Sequence, residues 1–320
     1  MGSSAISRIP VTELPPARFL AEFVAANRPV IVTGAMHSWK IEENWTPAAL
    51  DSRLGSQSVQ VYNNYFDLQS LMPLKKYFDQ YFGRPADCID GRTLPYVRWY
   101  TKLRDTRFFW ADAAFKQLAG YWSLPAFLPK SDYLLPYAPH ERTADPVVDP
   151  FPAKGLFISA RGGRTSLHLD PWGSCAVLCQ LYGRKRWFMY APEQEQYLRN
   201  GNKLVDPTEP DLAQFPDFPR AQVTAEFMLE AGETIYVPHG WCHEVHSETD
   251  AISLTWNFVH STTGACLESW LEEEPGDFDR SVLRFFYGIG KEQDVRSHVR
   301  ELVRQRLALG LRDTREPMSA

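Results

Sequence analysis

Between Gly155 and Val259 the chain is written in short apolar segments closed by turn signals, and that punctuation limits the fold more than any other feature. The segments are Gly155 to Ala160, Cys175 to Leu181, Arg186 to Tyr190, Gln222 to Leu229, Thr234 to Pro238, Cys242 to His246 and Ala251 to Val259. Gly162-Gly163, Pro171 to Gly173 and Gly183 interrupt them. Short β-prone runs with this spacing predict antiparallel strands closed into a sandwich or barrel.

Two stretches inside the series carry chemistry: Thr165-Ser166-Leu167-His168-Leu169-Asp170-Pro171-Trp172-Gly173 and Val237-Pro238-His239-Gly240-Trp241-Cys242-His243-Glu244-Val245-His246. In an extended strand, side chains at i and i+2 share a face, so His168 and Asp170 can aim an imidazole and a carboxylate at one point. A histidine from a second strand would complete the two-His, one-carboxylate set that leaves positions open on a non-heme Fe(II). An isolated His-x-Asp is common by chance, and a strand histidine bonded to a backbone carbonyl accounts for it equally well. The strands on either side give the pattern its weight. For the third ligand His239, His243 and His246 stand as alternatives. His243 and His246 have opposite parity, and His239 shares the parity of His243 only if Gly240 leaves the strand unbroken.

Gly183-Arg184-Lys185-Arg186-Trp187 holds three cations, and alternation turns Arg184 and Arg186 to one face and Lys185 alone to the other. Three solvated charges on an edge strand are the plain alternative.

His168-Leu169-Asp170-Pro171, the Arg184 to Arg186 run before Trp187, Gly232 to Pro238, Gly240-Trp241-Cys242-His243 and Thr255-Trp256-Asn257-Phe258 fall in one order. In that order they resemble the JmjC and cupin-like family of Fe(II)- and 2-oxoglutarate-dependent oxygenases, and Arg28 to Trp39 extends the likeness toward the N-terminus. The resemblance implies a mainly β chain: a double-stranded β-helix, or jelly-roll, with N-terminal α/β elements and C-terminal helices. It implies catalytic metal ligation by His168, Asp170 and His243, the histidine that follows Gly-Trp-x. It also implies Fe(II), 2-oxoglutarate and O2 as cofactor and cosubstrates. Lys185 and Thr165 would bind the distal carboxylate of the oxo acid, which needs a cation when desolvated. Asn257 would sit near the metal-bound end, and Tyr96 would add a contact. Where the family often has Asn, Leu178 falls here, and Ser174 is the candidate replacement.

With 320 residues, 44% apolar and 13% aromatic, the chain can bury a large core. Its expected organisation is an N-terminal elaboration over 1–150, a jelly-roll core over 151–262 and a helical extension over 263–320. A net charge of -5 argues against nucleic-acid binding. Five cysteines without CxxC spacing indicate neither a disulfide framework nor a zinc finger. With no basic, apolar leader and no run long enough to span a bilayer, a cytoplasmic, intracellular protein is expected, or a nuclear one in a eukaryote.

N-terminal to the core, the pattern predicts a helix over 17–26, a strand from Pro29 to Thr33, a helix near Pro47 to Leu54, a strand from Ser58 to Tyr62, a helix around Met72 to Phe82 and a strand from Leu94 to Tyr100. Phe108 to Trp110 and Tyr121-Trp122 read as packing. Residues 123–153 hold seven of the 24 prolines and read as ordered coil, and Ala191 to Arg220 reads as a second long loop. After Gly264 two helical stripes appear, around Leu283 to Tyr287 and Val295 to Leu309. They either dock on the core or, as in some members of the family, form a homodimer.

The function implied is hydroxylation of a protein or peptide side chain. A small-molecule hydroxylase, an N-methyl demethylase and a non-catalytic cupin-like binding protein are the alternatives. Glu193, Glu195, Asp206, Glu209 and Asp211 on the second loop would favour a basic target side chain.

Overall fold

The structure, a computed structural model, describes residues 6–65, 67–84, 94–100, 111–135, 155–272, 290 and 292–308. Its strands are β1 (Arg8–Pro10), β2 (Val30–Thr33), β3 (Ser58–Tyr62), β4 (Leu68–Pro73), β5 (Tyr96–Tyr100), β6 (Tyr133–Leu135), β7 (Gly155–Ser159) and β8 (Arg164–His168). There follow β9 (Cys175–Tyr182), β10 (Lys185–Tyr190), β11 (Arg199–Asn200), β12 (Lys203–Leu204), β13 (Ala225–Leu229), β14 (Glu233–Val237), β15 (Cys242–Ser247) and β16 (Ala251–His260). A large sheet runs β1-β2-β14-β9-β16-β7-β5-β3-β4, with β6 paired to β16, and faces a four-stranded sheet of order β13-β10-β15-β8. This is the expected jelly-roll, with strands from before residue 150 built into the same large sheet.

Alternation sorts the side chains between two apolar layers. Along β9, Cys175, Val177, Cys179 and Leu181 join the layer under the N-terminal helices, while Ala176 and Leu178 point between the sheets. In β2, Val30 and Val32 take the first layer and Ile31 the second; in β14, Tyr236 and Ile235 divide likewise. A sheet covered on both faces needs apolar residues at every position, which is why these strands read as continuous apolar runs. A third cluster, with Leu198, Val205 and Phe215, covers the outer face of the small sheet. It belongs to the loop from Ala191 to Arg220, which carries a short helix (Glu195–Leu198) and the β11–β12 hairpin.

The helix Pro47–Leu54 starts where expected, with Pro47 at its first position and Thr46 Oγ1 accepting from Ala49 N at 3.2 Å. Other boundaries moved. The first helix begins at Pro16 and widens into a π-helical turn at Leu20–Val24, still burying Phe19, Phe23 and Val24. Met72 belongs to β4 and its helix starts at Leu74. Proline-rich 123–153 is not all coil: Tyr133–Leu135 forms β6, while 136–153 lie outside the described residues, as do Phe108 to Trp110 and the stripe around Leu283. The helix Val295–Ala308 docks on the helix Gly264–Glu272 through Arg300–Glu272 and Arg304–Glu268 ion pairs, each at 3.3 Å. No described helix is long and apolar enough to cross a membrane.

Candidate metal centre

Ligand atoms of His168, Asp170 and His243 lie within 4.8 Å of one another, the one such cluster among the described residues. His168 closes β8 and pairs with His243 of β15, so adjacent strands deliver the two imidazoles, their ring centroids 4.1 Å apart. Asp170 lies just past the end of β8, before the turn Pro171–Gly173.

Backbone carbonyls fix both ring tautomers. His168 Nδ1 lies 2.9 Å from Ser166 O and His243 Nδ1 3.0 Å from Trp241 O. A carbonyl only accepts, so each neutral ring carries its proton on Nδ1 and its lone pair on Nε2. Burial, reinforced by the neighbouring His243 ring, holds His168 well below the ordinary histidine range, which keeps it in the neutral form a metal needs. Trp187 stacks on the His243 ring, centroids 5.6 Å apart and planes within 18°. Asp170 Oδ2 is buried with no hydrogen-bond donor among the described residues, as expected of an acceptor kept for a cation. Two imidazole nitrogens and one carboxylate, its Oδ2 left without a donor, fit Fe(II).

A β-bulge in β8 joins this centre to the buried residues Thr165, Tyr96 and Lys185 beside it. Val245 pairs with Thr165 and His243 with His168, so Ser166 and Leu167 together oppose Glu244. Thr165 and His168, three residues apart, would face opposite ways on a regular strand. The extra residue turns both into the pocket, and Leu167 packs on the outer face. Ser166 N donates to Asn64 O at 3.3 Å, tying the bulge to the β3–β4 turn.

Lys185 is fully buried, and its Nζ donates to Tyr96 Oη at 2.7 Å. Among the described residues no carboxylate lies within ion-pair distance of it, so the ammonium suits an incoming carboxylate. Arg186 instead bonds Glu226 and Glu248 at the surface, the division of faces that alternation predicts. Thr165 is buried beside Tyr96. Asn257 Nδ2 donates to Ser174 Oγ at 3.0 Å, while Leu178 packs in the apolar layer between the sheets.

The other two histidines are engaged elsewhere. His239 Nε2 lies 3.1 Å from Cys266 Sγ, and His246 pairs with Glu244 on the outer face. The acidic loop is engaged too. Asp206 bonds Arg164, Glu195 bonds Arg199, and Asp211 accepts from the amides of Ala213 and Gln214. These three carboxylates brace the loop internally and against β8.

Arg98 is the pocket residue that sequence reasoning missed. It is fully buried, its Nη2 donates to Thr165 Oγ1 at 3.1 Å and its Nη1 to Asn63 O at 2.7 Å. It shares the parity of Tyr96 on β5, but with both faces of that strand buried parity alone does not single it out.

The cupin-like domain family matches residues 16–264. The 2-oxoglutarate and iron-dependent oxygenase JMJD4 of Gallus gallus is 32% identical over 132 residues, 40% of this chain and 31% of that protein. The bifunctional arginine demethylase and lysyl-hydroxylase psr-1 of Caenorhabditis elegans is 25% identical over 267 residues, 79% of this chain and 61% of the relative. The arginine-specific demethylase JMJ20 of Arabidopsis thaliana is 24% identical over 303 residues, 87% of this chain and 62% of the relative. The chain thus covers less than two thirds of each of these proteins.

Proposed function

The chain belongs to the cupin-like domain family, and from that premise we propose that it is an Fe(II)- and 2-oxoglutarate-dependent dioxygenase that hydroxylates a protein or peptide side chain. The observation that carries the reading is the His168, Asp170 and His243 cluster with the buried Lys185 on the same face of the small sheet. The relatives' names, which include oxygenase, lysyl-hydroxylase and demethylase, support it.

His168, Asp170 and His243 would hold the iron. Bound there with 2-oxoglutarate and O2, iron supplies the oxidising power that puts one oxygen atom into a C–H bond while the oxo acid becomes succinate and carbon dioxide. The chain's own contribution is placement and dryness. Ser166 O and Trp241 O hold the imidazole tautomers, and Trp187 fixes the plane of His243. Lys185, Tyr96 and Thr165 would receive the distal carboxylate, and Asn257, held by Ser174, would face the metal-bound end of the oxo acid. Leu178, Val245 and Met189 line the space between the sheets and exclude water.

The test is succinate formation with Fe(II), ascorbate and 2-oxoglutarate, followed by mass spectrometry of cellular peptides treated with the protein. Turnover is expected in the wild type and lost in His168→Ala and Asp170→Ala, with both variants folded by circular dichroism. A gain of one oxygen on a side chain is the expected product. Release of formaldehyde with loss of a methyl group would replace hydroxylation by demethylation, and full turnover in either variant would end the metal assignment.

A further inference from the structure

Two groups that can only donate reach two buried hydroxyls in the same wall. Lys185 Nζ donates to Tyr96 Oη at 2.7 Å, and Arg98 Nη2 donates to Thr165 Oγ1 at 3.1 Å. Ammonium and guanidinium have no lone pair to offer. Thr165 therefore accepts from Arg98 and Tyr96 from Lys185, and each hydroxyl must turn its own proton elsewhere.

The Tyr96 ring lies between the two cations, the Arg98 guanidinium carbon 4.4 Å and Lys185 Nζ 5.2 Å from its centroid. Burial opposes ionisation of Tyr96, yet Lys185 and Arg98 outweigh it and draw the hydroxyl below the ordinary tyrosine range. A more acidic phenol is a stronger donor toward an anion.

Resting on the 2-oxoglutarate reading, we infer that Arg98 is a positioning residue for cosubstrate selection: by donating to Thr165 it turns the Thr165 proton so that, beside Tyr96 and Lys185, the pocket presents donors to a second carboxylate. An oxo acid of the same length ending in a methyl group would leave those buried donors unmatched, which is the way a polar site rejects an apolar analogue. A merely structural role is the competing account, because Arg98 Nη1 also bonds Asn63 O at 2.7 Å and so ties β5 to the β3–β4 turn.

Calorimetry on the full chain loaded with Mn(II) separates the two, with 2-oxoglutarate and 2-oxopentanoate as probes. Arg98→Met, which cannot donate, is expected to lower the preference for the diacid about tenfold while leaving the monoacid unchanged, and Arg98→Lys, which can still donate, to restore part of it. In a Thr165→Val background, Arg98→Met should change the preference by less than about twofold, because no hydroxyl remains to be directed. Equal losses for both acids, or multiplicative effects of the two substitutions, would overturn the inference. Should Arg98→Met not fold, Thr165→Val alone decides, since it keeps the bond to Asn63, and an undiminished preference there is equally fatal. A wild type that binds both acids alike, with Lys185→Ala no different, would instead remove the 2-oxoglutarate reading itself.

Discussion

Lys185 and Arg186 are neighbours with opposite fates, one sealed against Tyr96 and the other braced at the surface by Glu226 and Glu248. Removing the buried ammonium takes away a charge-assisted bond, so Lys185→Ala should weaken 2-oxoglutarate binding by about ten- to a hundredfold. Arg184→Ala and Arg186→Ala should stay within about twofold, since exposed pairs contribute little. Titration of the Mn(II)-loaded variants checks this, and equal small effects from all three would place Lys185 outside the cosubstrate pocket. At this scale the sequence was most legible where chemistry and parity coincide: His168 and Lys185 sit on the faces that alternation assigns them, Asp170 joins His168 from just past the strand end, and His243 was singled out among three histidines by resemblance. It was silent on Arg98, because both faces of β5 are buried and its polar residue stands among aromatic neighbours that look like ordinary core. Thr165 was placed by resemblance alone, and plain alternation would have pointed it outward, since a bulge leaves no trace in a strand's composition.

Among elements, the loop from Ala191 to Arg220 depends on one guanidinium. Arg164 Nε bonds Glu244 Oε1 at 2.6 Å and its Nη1 bonds Asp206 Oδ2 at 3.0 Å, while Tyr65 donates to the same carboxylate at 2.9 Å. Glu244 is almost fully buried, so Arg164→Met leaves a carboxylate without its main partner and should cost about 3 kcal/mol. Burial works against ionised Asp206, but hydrogen bonds from Arg164 and Thr208 outweigh it and hold its carboxyl well below the usual carboxylate range. A depressed folded-state pKa stabilises fully above the unfolded value, about 3.9, and that stabilisation fades as pH falls through the folded value. Hydrogen exchange on the loop should therefore quicken below about pH 4 in the wild type, and Arg164→Met should already exchange fast at pH 7. A loop equally protected in the variant would show that the apolar cluster of Leu198, Val205 and Phe215 holds it alone. Of the elements, central strands such as β9 and β16 were readable because burial on both sides forces apolar runs. The peripheral β1, β4 and β6 were not foreseen. β1 and β4 lie at sheet edges and each ends in proline, where no apolar pattern is required, and β6 sits in a proline-rich segment.

Across the whole molecule, the metal centre on β8 and β15 of the small sheet and the Lys185–Tyr96 contact beside it, which reaches β5 of the large sheet, join strands from distant parts of the chain, so bound ligands should stabilise the fold as a unit. Mn(II) with 2-oxoglutarate at about a hundred times its dissociation constant adds roughly 2.7 kcal/mol. For a chain of 320 residues that is a rise of about 4 °C in melting temperature, which His243→Ala should abolish. An equal rise in that variant would locate the stabilising metal elsewhere. The register of the large sheet also dictates an order of events during synthesis. Ile31 lies opposite Ile235 and Val97 opposite Ile158, so β2 emerges from the ribosome long before its antiparallel partner exists, and β5 before β7. Until the chain has grown past Val237, the apolar run Val30–Thr33 has only β1 beside it and offers its other edge to any strand it meets. Contacts this far apart in sequence make folding slow and the nascent chain prone to aggregation. Yield in a cell should thus depend on what shelters the first half of the chain while the second half is being made.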